Sequence, residues 1–149
     1  MKKKMKRAYT LIEVMIVLAI IFILMLPIVN ISKSYKETLI RVKAKGSIND
    51  LSNLISYSKY YCRYYESSGS IEIDKDKGVA VFKDISLKGV IVKTLILEDG
   101  VRFAVSKYLS INKVGKVQSD SIRIIDSEGN FYKITISTGV DTVNVYEGE

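Results

Sequence analysis

The side chains available for chemistry in this 149-residue chain are carboxylates, amines, hydroxyls and one thiol, because it contains no histidine. Without imidazole, Ser-His-Asp and Cys-His nucleophile systems and imidazole metal sites drop out together. Catalysis would have to rest on carboxylates such as Asp74, Asp76, Glu98 and Asp99, which stand near glycines in stretches that read as turns, an ordinary structural use of acidic residues. Asp74-Lys75-Asp76 opens like a calcium loop, yet lysines interleave it and no correctly spaced glutamate closes it. Cys62 is single and cannot form an internal disulfide, so its place among apolar positions fits a small core residue. No enzyme, metal or cofactor is expected from these groups.

One carboxylate is out of place. Residues 7–29 read RAYTLIEVMIVLAIIFILMLPIV, and Glu13 sits near the start of that apolar run. From 14 to 29 only Pro27 falls outside the strongly apolar set. The 21 residues from 9 to 29, with Leu11, Val14, Ile20, Pro27 and Val29 among them, would span about 30 Å as a helix, the hydrocarbon thickness of a bilayer. A buried core helix would need a second long apolar partner, which the rest of the chain lacks. A cleaved secretory signal would need an A-x-A-like site, but Asn30-Ile31-Ser32-Lys33-Ser34-Tyr35 follows. A retained single-pass membrane segment is the expectation. A carboxylate well inside a bilayer costs about 2.5–3.5 kcal/mol and usually faces a partner. Glu13 therefore either reaches the headgroups or Arg7 at the interface, or meets a cation and marks a function.

The net charge of +7 is unevenly placed. Five of the 23 Lys and Arg residues lie in residues 2–7, and the remainder nearly balance the 16 Asp and Glu. That cluster is denser and nearer the apolar run than Lys33, Lys36, Arg41, Lys43 and Lys45 beyond it, so the N-terminus is expected in the cytoplasm.

The string Ala8-Tyr9-Thr10-Leu11-Ile12-Glu13-Val14-Met15-Ile16-Val17-Leu18-Ala19-Ile20-Ile21 strongly resembles the type IV prepilin signature: a short basic leader, a small residue, an aromatic residue, Thr-Leu-Ile-Glu, then an apolar helix. In that family glycine usually precedes the cut and phenylalanine follows it, where this chain has Ala8 and Tyr9. The resemblance implies cleavage by a prepilin peptidase between Ala8 and Tyr9 and N-methylation of Tyr9. It also implies pairing of Glu13, fifth from Tyr9, with a mature N-terminal amine, its own or a neighbour's. A buried charge pair is a poor source of stability but fixes register well, because a subunit out of step leaves both charges unpaired.

Beyond the apolar run, Ile31, Tyr35, Leu39, Val42, Ile48, Leu51, Ile55, Cys62 and Tyr65 recur at helical spacing among polar residues. This predicts a long helix from about Tyr9 to Tyr65. Gly46, Ser47 and Asp50 resemble a stop followed by a capping box, which leaves one interrupted helix and two stacked helices both open. Pro27 should kink or loosen the helix. Tyr57, Tyr60, Tyr61, Tyr64 and Tyr65 should divide between the core and a subunit interface. Short alternating runs at residues 70–73, 79–82, 89–97, 101–105, 121–126, 131–137 and 142–146, separated by turn residues, predict an antiparallel sheet of hairpins.

The expected fold class is therefore α+β, a long N-terminal helix packed on an antiparallel sheet. The expected organisation is a leader (1–8), a membrane and assembly helix (9–29), its amphipathic continuation (30–66) and a sheet region (67–149), the last two forming one globular domain. Asp99-Gly100-Val101-Arg102-Phe103 and the stretch from Asp120 through Asp126-Ser127-Glu128-Gly129-Asn130 to Ile136 are similar to the sheet region of H-type minor pseudopilins and competence pseudopilins. The two resemblances together imply a minor structural subunit in the cytoplasmic membrane that assembles into a pseudopilus or pilus-like filament for protein secretion or DNA uptake. Its partners would be a prepilin peptidase, other pilin or pseudopilin subunits, and an assembly platform with its ATPase. A structural type IV pilus subunit is the alternative within the class. A membrane-anchored DNA receptor, motivated by residues 33–45 and the tyrosines, is the alternative outside it.

Overall fold

A computed structural model describes residues 10–136 and 143–147, and of 26–30 and 143–147 the backbone alone. The chain divides into two units, Met1–Thr38 and Leu39–Glu149.

Among the described residues the single α-helix, α1, spans Leu11–Tyr64. It passes through Gly46 without a stop. Ser47 there is buried in mid-helix instead of capping a new one. In the first unit every described helix position from 11 to 25 is exposed, and all but Glu13 are apolar in character.

In the second unit α1 buries Ala44, Ile48, Leu51, Leu54, Ile55 and Cys62, a stripe at intervals of three, four and seven residues. The apolar stripe read from the sequence is thus used in part. Ile48, Leu51, Ile55 and Cys62 enter the core, whereas Ile31, Tyr35, Leu39, Val42 and Tyr65 remain exposed. Mid-stripe, the Ser58 hydroxyl donates to the Leu54 carbonyl at 2.7 Å, which satisfies a buried polar group within the helix itself.

Among the described residues eight strands follow, in two four-stranded antiparallel sheets. The first sheet has the order β3-β2-β1-β5 and the second β4-β6-β7-β8. Their ranges are β1 Gly69–Asp74, β2 Val79–Asp84, β3 Val90–Ile96, β4 Val101–Phe103, β5 Lys107–Ile111, β6 Asp120–Asp126, β7 Phe131–Ile136 and β8 Val143–Glu147. The outer hairpins form as read from the sequence, β1 with β2 and β6 with β7. Residue 142, assigned to the last run, lies outside the described residues.

The middle hairpin does not form. β3 pairs with β2, and β4 pairs with β6 in the other sheet. After β3, the Leu97 amide donates to the Gly78 carbonyl at 3.0 Å, so the chain is still bonded to the first sheet as it enters the Glu98-Asp99-Gly100 turn. That turn carries the chain between sheets. β5, absent from the sequence reading, then returns to pair with β1.

The buried side chains of α1 and both sheets belong to one core cluster, with Phe82, Phe103, Ile122 and Ile134 among its largest fully buried members. Two glycines permit the close approach this requires. A Cβ on Gly69 would lie 2.5 Å from the Phe82 ring and 3.0 Å from Cys62 Sγ. Gly115, at φ +77° in the turn after β5, would place a Cβ 2.6 Å from the Lys59 carbonyl oxygen. The same turn is fastened to α1 by Arg63 Nε, which donates to the Val114 carbonyl at 3.3 Å.

Candidate assembly site at the helix N-terminus

Helix α1 opens with unsatisfied backbone donors, and the residues at its start meet that need locally. The Thr10 amide donates to Glu13 Oε2 at 2.8 Å, and the Thr10 hydroxyl donates to the same oxygen at 3.1 Å. In return the Glu13 amide donates to the Thr10 carbonyl at 3.0 Å and lies 3.4 Å from the Thr10 hydroxyl oxygen. This reciprocal arrangement is a capping box with Thr10 as the N-cap. The carboxylate also faces the positive end of the helix dipole.

Among the described residues, the Glu13 carboxylate is bonded to Thr10 alone, and it is exposed to solvent. Thr10 is the partner that sequence reasoning passed over. The signal was the Thr-x-x-Glu spacing, the pattern that had been sought at Ser47 instead. Downstream of the cap, Leu11 is 81% exposed and Ile20 51%, and Val14 is exposed beside them, so the helix offers an unbroken apolar surface with one carboxylate at its end. Ala8 and Tyr9 lie outside the described residues, as do the side chains of Pro27 and Val29. Among the described residues, no helix is long and apolar enough to cross a membrane.

Of the other groups singled out in the sequence, Asp74, Cys62 and Tyr61 take part in turn closure or packing. Asp74 Oδ1 accepts the amides of Asp76 at 2.9 Å and Lys77 at 3.1 Å, closing the β1–β2 turn. No group of three or more metal-ligating side chains is present among the described residues. Cys62 is free and fully buried, and burial first, then the Asp84 charge, push its thiol above the ordinary value despite an opposing bond with Ser67. Of the tyrosines, Tyr61 packs edge-on against Phe82 with ring centroids 5.5 Å apart. Tyr60 and Tyr64 are exposed and stacked on each other, and Lys93 Nζ lies 4.6 Å from the Tyr57 ring centroid.

Comparison with known proteins gives a motif match and a likeness of fold. A family model described as the prokaryotic N-terminal methylation motif matches residues 3–29. No curated protein matches the sequence. Among solved structures, two of the minor pseudopilin EpsH from the type 2 secretion system of Vibrio cholerae share the fold. One has a TM-score of 0.58 at 15% identity, covering 72% of this chain and 99% of that one. The other has a TM-score of 0.61 at 13% identity, covering 74% and 98%. The type IV minor pilin FimU of Pseudomonas aeruginosa has a TM-score of 0.53 at 14% identity, covering 73% of this chain and 90% of that one. A prokaryotic N-terminal methylation motif thus precedes a fold shared with a minor pseudopilin and a minor pilin.

Proposed function

We propose that this chain is a minor structural subunit of a pseudopilus or type IV pilus-like filament that serves protein secretion or DNA uptake. It is made with residues 1–8 as a cytoplasmic leader and held in the cytoplasmic membrane by its apolar helix. Prepilin peptidase cuts between Ala8 and Tyr9, Tyr9 is N-methylated, and an assembly platform driven by an ATPase adds the subunit to the filament. Its role is mechanical, with no catalytic residue.

The observation that carries the proposal is Glu13, the one charge on an otherwise apolar and exposed helix surface from 11 to 25, placed in the first turn. Apolar helices packing side by side can slide, since one Leu or Ile resembles the next. A carboxylate that must meet the amine of Tyr9 in a neighbouring subunit selects one stagger, because every other leaves a buried charge alone.

The test is the intact mass of the protein from cells with an active prepilin peptidase, beside a Glu13→Ala variant. Loss of residues 1–8 with one added methyl, and a variant that is cut but not recruited into filaments, are expected. A full-length mass, or a cut beyond residue 29, would overturn the proposal.

A further inference from the structure

Among the described residues strand β3 is an edge of the first sheet, and it carries exposed apolar side chains. Val90, Ile91 and Ile96 are exposed on the strand, and Ile85 and Leu87 are exposed on the turn that leads into it. Among the described residues β3 pairs with β2 alone, so the backbone donors and acceptors of its outer side await a partner. Edge strands are ordinarily protected by prolines, inward charges or shortness. Seven residues long, β3 has no proline, and a bulge opposite Phe82 and Lys83 with the single Lys93 is its protection.

The apolar turn is held rigidly. Asp84 is buried, and its Oδ1 accepts the amides of Ser86 at 2.9 Å and Leu87 at 3.4 Å. The Gly89 amide donates to the Asp84 carbonyl at 2.8 Å, and the Ser68 amide donates to Ser86 Oγ at 3.0 Å. Ile85 and Leu87 are thus fixed through their own backbone groups, while their side chains stay exposed. An ordering cost that usually opposes binding has already been met in the folded chain.

Charge selects the occupant. β3 and its leading turn carry Lys88 and Lys93 and no acidic side chain between residues 85 and 96. Two copies joined antiparallel end to end through β3 would set Lys93 against its twin, and like charges directly opposite destabilise a strand pair. We propose that β3 accepts an extended segment of a different protein, one that alternates apolar with acidic residues, as an added strand of the first sheet. The main chain of that segment completes the edge, its apolar side chains cover Ile91 and Ile96, and its carboxylates meet Lys88 and Lys93. This proposal stands on the sheet edge and holds whether or not the leader is cut.

The test uses the full chain in detergent micelles with a short labelled peptide alternating valine and glutamate. Binding is read by fluorescence anisotropy, and amide hydrogen exchange is followed over residues 90–96. Slowed exchange at β3 is expected, with binding about tenfold weaker to the peptide in which lysine replaces glutamate. A Lys88→Glu, Lys93→Glu variant should reverse that preference, which a merely misfolded variant would not do. Absence of slowed exchange at β3, or a preference unchanged by the charge reversal, would overturn the proposal. So would protection of β3 that grows with protein concentration and without peptide, since a second copy would then be the occupant.

Discussion

At the residue scale, Glu13 has two uses for one carboxylate, and substitutions can separate them. In the single chain it caps α1 through Thr10, and in a filament it is proposed to leave that bond for a neighbour's amine. Glutamine can still accept the cap bonds but carries no charge. Glu13→Gln is therefore expected to keep slow amide exchange in the first turn and to lose recruitment into filaments. Thr10→Ala is expected to do the reverse, raising exchange in the first turn by the equivalent of about 1 kcal/mol while recruitment persists. Mass-resolved exchange on the micelle-bound chain, beside filament fractionation in cells, reads both. A second carboxylate, Asp126, is expected to contribute to acid sensitivity. Asp126 is 2% exposed and accepts from the Glu128 and Asn130 amides, the Asn130 side chain and the Tyr132 hydroxyl. Burial alone would raise its carboxyl, but these bonds outweigh burial and hold it below the ordinary carboxylate value. A group depressed by folding contributes stability above its unfolded value, about 3.9, and that contribution is lost as pH falls through the lower folded value. Denaturant titrations below pH 5 should show stability declining with acid, and Asp126→Asn should flatten that decline at a cost of about 1–3 kcal/mol near neutrality.

At the element scale, Gly46 separates propensity from packing. Glycine followed by Ser and a spaced Asp has the form of a terminus, which leaves a break in the long helix open from sequence. The structure continues through Gly46 because the flanking Ala44, Ser47, Ile48 and Leu51 are all buried in one stripe. Tertiary burial outweighs the weak local preference. Nothing lies within 4 Å of a Cβ added at Gly46. Gly46→Ala is therefore expected to stabilise the second unit by about 0.5–1 kcal/mol, read as a higher denaturation midpoint. Gly69→Ala, with Phe82 and Cys62 in the way, should destabilise it by about 1–3 kcal/mol in the same measurement. The contrast explains what the sequence could convey. The apolar run with Glu13 near its start, the amphipathic part of α1 and the two outer hairpins rest on local pattern: an unbroken apolar stretch, period 3.6, and period 2 with turn residues. The break between β3 and β4 does not. A Glu-Asp-Gly turn joins two strands equally well within a sheet or between sheets, and what decides is that β3 is already bonded to β2 up to Leu97. β5 was missed although Leu109 and Ile111 alternate with Tyr108 and Ser110, because its partner β1 lies far back in the sequence.

At the scale of the whole molecule, the two sheets have separate hydrogen-bond ladders but no separate cores. Ile71 and Phe82 of the first sheet, Phe103 and Ile134 of the second, and Leu51 and Ile55 of α1 belong to one buried cluster. A ladder can open alone only if the apolar surface beneath it stays covered. Neither sheet here meets that condition, so the globular unit should unfold as one cooperative step. Cys62 provides an internal probe of that step. It is 0% exposed, and burial together with the Asp84 charge raises its thiol, so both access and thiolate formation oppose reaction in the folded state. With the full chain in micelles at pH 8, a thiol reagent is expected to leave Cys62 unmodified in the absence of denaturant. Labelling should then appear with the same midpoint as loss of the β-sheet circular dichroism signal. Core amides of β1 and of β6 should exchange with the same opening free energy as the thiol, although they lie in different sheets. Labelling that precedes the loss of sheet signal, or β6 amides that open well before those of β1, would mean that the second sheet comes away by itself. The shared core would then be a static arrangement and not the cooperative unit.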